Sequence, residues 1–421
     1  MNAVGIDVSK GRSMVAILLP GGEIVIFTFY SRRYTRLSFL MLAKDHMFGY
    51  NVRIRNRKKE QKEISAMKQK MIDFLLAHAN PSIRLRIKKE ILRTITAQEE
   101  KVLQEQILEE KIVRFIGEKQ QGNGWIGLGF HGSNKNAGQY DNQETATKYM
   151  GEKALKGTVL LERAMDAYVT TELTDWIYGT RGQYWSEFEI PAQGQNIIRC
   201  ACVARAHYDD VIDISPQIKL SLESFRRVTQ VDSIWDVSRP VKKGRLFNKN
   251  ERWPCRYHLE ILAFTAEKWK NEENAAMLAE SFKRLMRTDR EEVINTPVSC
   301  WVGNHAVGPC WLLNEGYSIS GNGLNQQIGD GVRRTNLEKV EWLSRCGLYA
   351  HLPELREEVD FIIDNINSDG ICTVAMYDDE FKGWGPYFGA RLETDWRAKV
   401  RRQCDVTFRA LLIADYAGIW D

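Results

Sequence analysis

The chain has 421 residues, and its apolar and charged fractions are ordinary for a globular protein, so it is neither disordered nor fibrous. A net charge of +4 is small for this length and gives no reason to expect nucleic-acid binding across the whole molecule. No apolar run approaches the roughly 18–20 residues of a spanning helix. The start MNAVGIDVSK lacks a signal-peptide pattern, and the eight Cys lack disulfide or zinc-ribbon spacing. We expect a cytoplasmic protein with free thiols and no membrane span.

The first 29 residues predict a short β-meander. Residues 4–8, 14–19 and 23–29 are rich in β-branched and aromatic side chains, and Pro20-Gly21-Gly22 is typical of a turn. Such a sheet is too small to bury a core of its own.

A basic connector, residues 30–60, follows this stub. Its charge comes from Arg and Lys side chains that continue to the next predicted helix: Arg32, Arg33, Arg36, Arg53, Arg55, Arg57, Lys58, Lys59 and Lys62. A solvated linker is the first interpretation of such a run. The alternative is that residues 31–62 are an arm that binds nucleic acid, in which case binding would weaken strongly with salt.

Residues 61–421 predict a long helical domain, and its part 61–119 predicts three helices. Asn80-Pro81 is typical of an N-cap followed by proline at the first helical position. Thr96-Ala97-Gln98-Glu99 is a capping box that opens a helix to about Lys119. Later apolar faces at helical spacing cover 159–176, 195–207, 217–228, 258–269, 275–286, 337–348, 355–366 and 396–416.

The amino-acid sequence of the stub resembles that of a known family. Val4-Gly5-Ile6-Asp7-Val8-Ser9-Lys10, followed by strand, turn and strand, is similar to the start of insertion-sequence transposases with a DEDD-type, RuvC-like RNase H fold, the Piv recombinase relatives. In that family the Asp of the first strand is a metal ligand, which implies this role for Asp7. The family needs three further acidic residues on later strands, and no strand pattern after Phe29 carries them. The stub is therefore interpreted as a non-functional transposase fragment; Ser9-Lys10 makes an actin-like nucleotide site a weaker alternative.

The long domain resembles a different family. Glu118-Lys119-Gln120-Gln121-Gly122-Asn123-Gly124-Trp125 is similar to the Q-x-x-D-G-x-W turn of α/α-toroid enzymes, the terpenoid cyclases and protein prenyltransferase β subunits, with Asn123 where Asp is usual. A looser copy is Asn367-Ser368-Asp369-Gly370. The resemblance implies a mainly α fold of α/α-toroid-like helical hairpins, acting on or binding an apolar, isoprenoid-like ligand.

Three groups of residues are candidates for chemistry. Asp209, Asp210 and Asp213 follow the D-D-x-x-D pattern with which isoprenoid enzymes bind Mg²⁺-diphosphate, or they are a solvated acidic turn. Asp379, in the acidic run before Trp384, is a candidate proton donor in an aromatic pocket, or part of an exposed loop.

The third group has the residue types that zinc prefers. Prenyltransferase β subunits use one Asp, one Cys and one His, and by resemblance Cys404 and Asp405 would be joined by His258 or His305. Buried free cysteines are the alternative. Mg²⁺ and Zn²⁺ are thus the candidate cofactors, and neither has a complete motif.

Three functions remain open from the sequence. The first is a toroid domain that acts on an isoprenoid-like ligand, and the second is the same domain as a catalytically silent binding or scaffold module. The third is a DNA transposase that uses Asp7. The missing acid and metal motifs favour the binding module.

Overall fold

The structure is a computed structural model, and it divides into two compact units, Met1–Lys62 and Glu63–Asp421. It describes residues 4–9, 12–18, 24–29, 63–127, 129–131, 140–170, 195–249, 251–302, 305–307, 312–320, 334–377 and 379–420. Among these residues, every helix is too short or too polar to cross a bilayer.

The first unit contains the predicted three-stranded meander. Strands β1 (Val4–Ser9), β2 (Arg12–Leu18) and β3 (Ile24–Phe29) are antiparallel in the order β1-β2-β3. Asp7 pairs with Met14 across β1 and β2. The Pro20-Gly21-Gly22 turn and the predicted connector 30–60 lie outside the described residues, as does the environment of the Asp7 side chain.

The second unit is mainly helical, as predicted. Its helices are α1 (63–78), α2 (Pro81–Arg86), α3 (Ala97–Leu108), α4 (Lys111–Lys119), α5 (Gln143–Glu152), α6 (Val159–Thr170), α7 (Gln195–Arg205), α8 (Ser215–Thr229), α9 (Arg256–Phe264), α10 (Ala266–Trp269), α11 (Glu272–Leu285), α12 (Glu291–Asn295), α13 (Leu337–Arg345), α14 (Pro353–Asp364), α15 (Asp379–Lys382) and α16 (Lys399–Tyr416). Each predicted helical face beyond residue 150 overlaps one or two of them: the face 258–269 is divided between α9 and α10, and the end of the face 159–176 lies outside the described residues.

Both predicted helix starts are confirmed. The Asn80 side chain accepts from the Ile83 amide, with Pro81 at the first helical position of α2. Thr96 and Glu99 form the reciprocal capping box of α3. The prediction of one helix up to Lys119 is wrong, because the helix is interrupted after Leu108 and a new helix begins after Glu110. The Glu110 side chain turns inward there to pair with Lys153, 2.5 Å away.

Helix α5 was not predicted, although it is the most completely buried helix described. All ten of its residues are buried, including Glu144, Lys148 and Glu152. The Asn142 side chain caps it by accepting from the Thr145 amide at 2.9 Å. Because its buried face is polar, it lacks the apolar period by which the other helices were found.

The buried helices pack in chain order, α5 on α7, α7 on α9, α9 on α13, and α13 on α16. Helix α6 packs on α5, α8 on α9, and α14 on both α13 and α16. Beside them lies a four-stranded sheet that the sequence did not predict. Its strands are β4 (Ser238–Val241), β5 (Gly244–Phe247), β6 (Val298–Val302) and β7 (His305–Val307), and only the β5–β6 pair is parallel.

The separation into two units generates a test. Deleting residues 1–59 should leave the melting temperature and helical content of the chain nearly unchanged, because the second unit carries its own core. Differential scanning calorimetry and circular dichroism measure both quantities.

Deleting residues 1–78 is the matched control. It removes α1, whose Met71 and Leu75 are fully buried in the core, and should lower the melting temperature strongly. Equal losses in the two deletions would contradict an independent second unit.

Candidate functional site

A network of buried ion pairs links the packed helices. The carboxylate of Glu152 on α5 lies 2.6 Å from Arg86 on α2, 3.2 Å from Arg205 on α7 and 2.9 Å from Arg409 on α16. Each of these side chains is at most 3 % exposed. Although burial by itself would raise the pKa of Glu152, the Arg409 and Arg86 guanidinium groups hold it well below its ordinary value.

The network extends along one face of α5, where Glu144, Lys148 and Glu152 are spaced four residues apart. The Lys148 ammonium lies 3.0 Å from Glu144 and 2.8 Å from Glu260 on α9. Arg205 pairs with Glu260 as well, at 2.9 Å. Nearly every buried charge in this region therefore has at least one partner of opposite sign on another helix.

Aromatic rings fill the space around these charges. The Arg205 guanidinium lies 4.8 Å from the centre of the Trp384 ring and 5.3 Å from that of Trp342. Both tryptophans are fully buried. Such contacts add cation–π attraction to the ion pairs, so the aromatic residues here stabilise the charged interior.

At the N-terminal ends of α5 and α9, a hydrogen-bonded relay leads from the network towards the surface. His131 Nδ1 lies 2.5 Å from Glu144 Oε2, and His131 Nε2 lies 3.1 Å from the Tyr387 hydroxyl. The Tyr257 hydroxyl donates to Glu144 Oε1 at 2.9 Å. We call Glu144, His131 and Tyr387 the relay.

At the opposite end, a cleft of about 890 Å³ lies where α5, α7, α9, α13 and α16 end. Its walls include basic side chains from several of these ends: Lys89, Arg93, Lys156, Lys268, Lys270 and Arg345. Acidic side chains share the lining: Glu90, Asp209, Asp210, Glu267 and Asp415. Within the described chain, Arg93 and Lys270 are not paired with a carboxylate.

The structure separates the three aspartates of the predicted D-D-x-x-D group. Asp209 and Asp210 line the cleft, where Asp209 pairs with Lys268 at 2.8 Å and Asp210 with Lys156 at 2.7 Å. Asp213 accepts from the Ser215 amide at 2.9 Å, at the start of α8. Two of the three aspartates therefore share a cavity, and the third is bonded to the backbone of a helix start.

Asp405 lies in α16 and is bonded to a loop. It accepts from the Leu392 amide at 2.8 Å, from the Glu393 amide and from the Trp396 indole at 2.6 Å. Its neighbour Cys404 is buried, and burial raises the pKa of the Cys404 thiol to about 12. These contacts position residues 392–396 over α16.

His258 and His305 are the histidines that the sequence proposed as partners of Cys404 and Asp405. His258 lies in the first turn of α9, where its Nδ1 accepts from the Cys255 amide at 3.0 Å, and burial lowers its pKa to about 3. His305 is in β7, and its side chain lies outside the described residues. The described part of the chain contains no group of three His, Cys, Asp or Glu side chains that could hold a metal ion. Cys200, Cys202, Cys346, Cys372 and Cys404 are buried free thiols, as predicted.

In the acidic run around Asp379, the side chain of Glu380 is buried. Asp379 begins α15, and its side chain lies outside the described residues. Glu380 accepts from the Leu337 amide at 2.9 Å, at the N-terminus of α13. Burial and the neighbouring Glu338 raise the pKa of Glu380 well above its ordinary value. The proposed role of Asp379 stays a prediction, and the buried carboxyl that the structure describes in this segment is that of Glu380.

The two glycine turns named in the sequence make similar contacts. A Cβ at Gly124 would lie 2.1 Å from the Arg163 carbonyl oxygen, so only glycine fits there, with φ of +88°. Gln120 donates to the Leu160 carbonyl at 2.9 Å, and Trp125 is fully buried. A Cβ at Gly370 would lie 2.6 Å from the Lys70 backbone on α1. Each turn joins its own hairpin to a neighbouring helix.

Comparison of the chain with protein-family models, with curated proteins and with solved structures found no match.

The buried ion pairs of Glu152 should contribute strongly to the free energy of unfolding. Glu152→Gln should lower the free energy of unfolding by about 3–5 kcal/mol, because three buried guanidinium groups lose their shared counter-charge. Urea unfolding measures this difference. Glu223→Gln, which breaks the exposed pair with Arg252, is the control and should cost less than about 1 kcal/mol. Equal effects would mean that the buried pairs do not stabilise the fold.

A second prediction concerns pH. Burial and the Asp405 carboxyl raise the pKa of Glu393 to about 7, above the ordinary value of about 4.3. The unfolded chain therefore loses this proton first, and the folded state becomes less stable as the pH rises between these two values.

Glu393→Gln removes the titration and retains an acceptor for the Asn80 amide, 2.8 Å away. Unfolding free energies should therefore fall less in Glu393→Gln than in the unchanged chain between about pH 5 and about pH 8. Parallel pH profiles for the two proteins would argue against a raised Glu393 pKa.

Proposed function

We propose that residues 63–421 form a closed α/α toroid, as the sequence resemblance implies. Two observations support a ring. Helices α5, α7, α9, α13 and α16 pack in succession and all end at the same cleft, so they run in the same direction. The Arg409–Glu152 pair then joins the last helix of this series to the first. The glycine turns at Gly124 and Gly370 are consistent with the hairpin junctions of such a fold.

The proposed function of this toroid is to bind a small anionic ligand in the cleft. The observation that carries the proposal is the pair of cations, Arg93 and Lys270, that line the cleft without a carboxylate partner among the described residues. Lys156 and Lys268 lie in the same cavity, each held by an aspartate. A phosphate or carboxylate group would supply the missing counter-charge.

The charged lining favours this ligand over a hydrocarbon. An isoprenoid chain needs an apolar wall, and burying it among ion-paired lysines and aspartates would strip their hydration without new hydrogen bonds. The diphosphate group of a prenyl compound remains compatible with the cleft. A binding module therefore has more support than a cyclase, because Asp213 and Asp405 are already bonded to backbone amides.

The transposase alternative rests on the strand meander around Asp7 and on the basic segment 31–62. Cleavage or joining of a terminal DNA repeat that Asp7→Ala abolishes would establish it.

Inorganic diphosphate, farnesyl diphosphate and farnesol separate the ligand classes. We expect both diphosphates to raise the melting temperature and farnesol to leave it unchanged, because the phosphates pair with Arg93 and Lys270. A ligand at 100 times its Kd adds about 2.7 kcal/mol to the unfolding free energy. Thermal unfolding followed by circular dichroism measures the effect.

The variant Arg93→Ala/Lys270→Ala should lose the stabilisation by diphosphate. Lys242→Ala/Lys243→Ala, a pair of exposed lysines between β4 and β5, is the charge-matched control and should retain it. Stabilisation by farnesol alone would overturn the anionic ligand. If the chain turns over farnesyl diphosphate and Asp209→Ala abolishes this turnover, the domain is an enzyme and not only a binding module.

A further inference from the structure

The relay of Glu144, His131 and Tyr387 lies away from the cleft and has no part in the function proposed above. Exposure increases along it. Glu144 is fully buried, the His131 side chain is 8 % exposed, and Tyr387 is half-buried. A molecule that approaches from solvent therefore meets the phenol before the imidazole.

The hydrogen bonds show which groups of the relay donate and which accept. Lys148 and the Tyr257 hydroxyl both donate to Glu144 Oε1, at 3.0 and 2.9 Å. Burial alone would raise the pKa of Glu144, but Lys148 and His131 lower it to about 2. An ionised carboxylate only accepts hydrogen bonds, so His131 Nδ1 must carry the proton that faces it.

The other ring nitrogen is then the base. In the neutral form of the ring, the form that can act as a base, Nδ1 donates to Glu144 and Nε2 presents its lone pair to the Tyr387 hydroxyl, 3.1 Å away. A carboxylate that fixes the tautomer of a histidine, which in turn accepts from a hydroxyl, is the arrangement that activates hydroxyl nucleophiles. The phenol of Tyr387 occupies the nucleophile's position.

We propose that Tyr387 is a nucleophile towards ester-type acyl groups, with His131 as its base and Glu144 as the residue that positions His131. Tyr387 Oη attacks the carbonyl carbon of the ester while its proton passes to His131 Nε2. The bond from that carbon to the alcohol oxygen breaks, and the alcohol leaves with the proton from His131. Water then hydrolyses the acyl-tyrosine, which releases the acid and restores the phenol. In this second step the proton of the attacking water passes to His131 Nε2, and His131 returns it to the tyrosine oxygen as the bond from that oxygen to the acyl carbon breaks.

The test uses the full chain and 4-nitrophenyl acetate as the probe. We expect release of 4-nitrophenolate above the background rate, and an acetyl group on Tyr387 found by peptide mass spectrometry after rapid quenching. Tyr387→Phe keeps the ring and removes only the hydroxyl, and should lower the rate by at least about 100-fold. His131→Gln should lower it by a similar factor.

Tyr349→Phe is the matched control, because Tyr349 is half-buried like Tyr387. Its hydroxyl donates to the Asp360 carboxylate at 3.2 Å and not to a histidine. It should react like the unchanged chain. Circular dichroism establishes that each variant is folded. Acetyl groups on lysines alone, a background rate in the unchanged chain, or full reactivity of Tyr387→Phe would each overturn the proposal.

The positioning role of Glu144 has a separate readout. In the unchanged chain, ¹⁵N chemical shifts of the His131 ring should report a proton on Nδ1. In Glu144→Gln the side-chain amide can donate to Nδ1, which should move the ring proton to Nε2 and slow acetylation. An unchanged tautomer together with an unchanged rate would remove Glu144 from the mechanism.

Discussion

Glu152 is the point on which the helical unit depends. A single carboxylate on α5 pairs with arginines from α2, α7 and α16, and all four side chains are buried. A buried charge is tolerated only when its partners are in place, because its desolvation otherwise costs several kcal/mol. The four helices must therefore assemble together and in one register. Lys148 and Glu260 extend the same constraint to α9.

The charged interior also restricts where a ligand can bind. The space between the packed helices is occupied by paired charges and by Trp342 and Trp384, which leaves the two ends of the helices for recognition. Helix dipoles make these ends different. The N-terminal ends favour carboxylates such as Glu144, whereas the C-terminal ends favour cations such as Arg93 and Lys270. The dipoles therefore favour the cations of the cleft and oppose an anion there, so the proposed anion would be bound by the Arg93 and Lys270 side chains and not by the helix ends.

Local features were predicted well because their energetics are local. Asn80 and Thr96 satisfy amides three residues along the chain, so four residues suffice to identify each cap. Helix α5 was missed because its buried residues are charged, and the partners that permit their burial come from distant segments. The spacing of Glu144, Lys148 and Glu152 was a usable signal, and the Asn142 cap before them was another. The contacts of the predicted aspartates could not be predicted for the same reason. Asp213 and Asp405 accept hydrogen bonds from backbone amides, and the spacing of the aspartates does not reveal these donors.

Four features could be predicted from the sequence: the mainly helical character of the long unit, the strand meander before it, the helix caps and the glycine turn at Gly124. Each of these depends on periodicity or on contacts within a few residues. Long-range packing determines which charges are buried together, and it places Asp209 and Asp210 but not Asp213 in the cleft. It also brings His131 between Glu144 and Tyr387. These groups lie as many as 256 positions apart along the chain. Their proximity arises because a buried carboxylate must find its cations wherever the packed helices bring them.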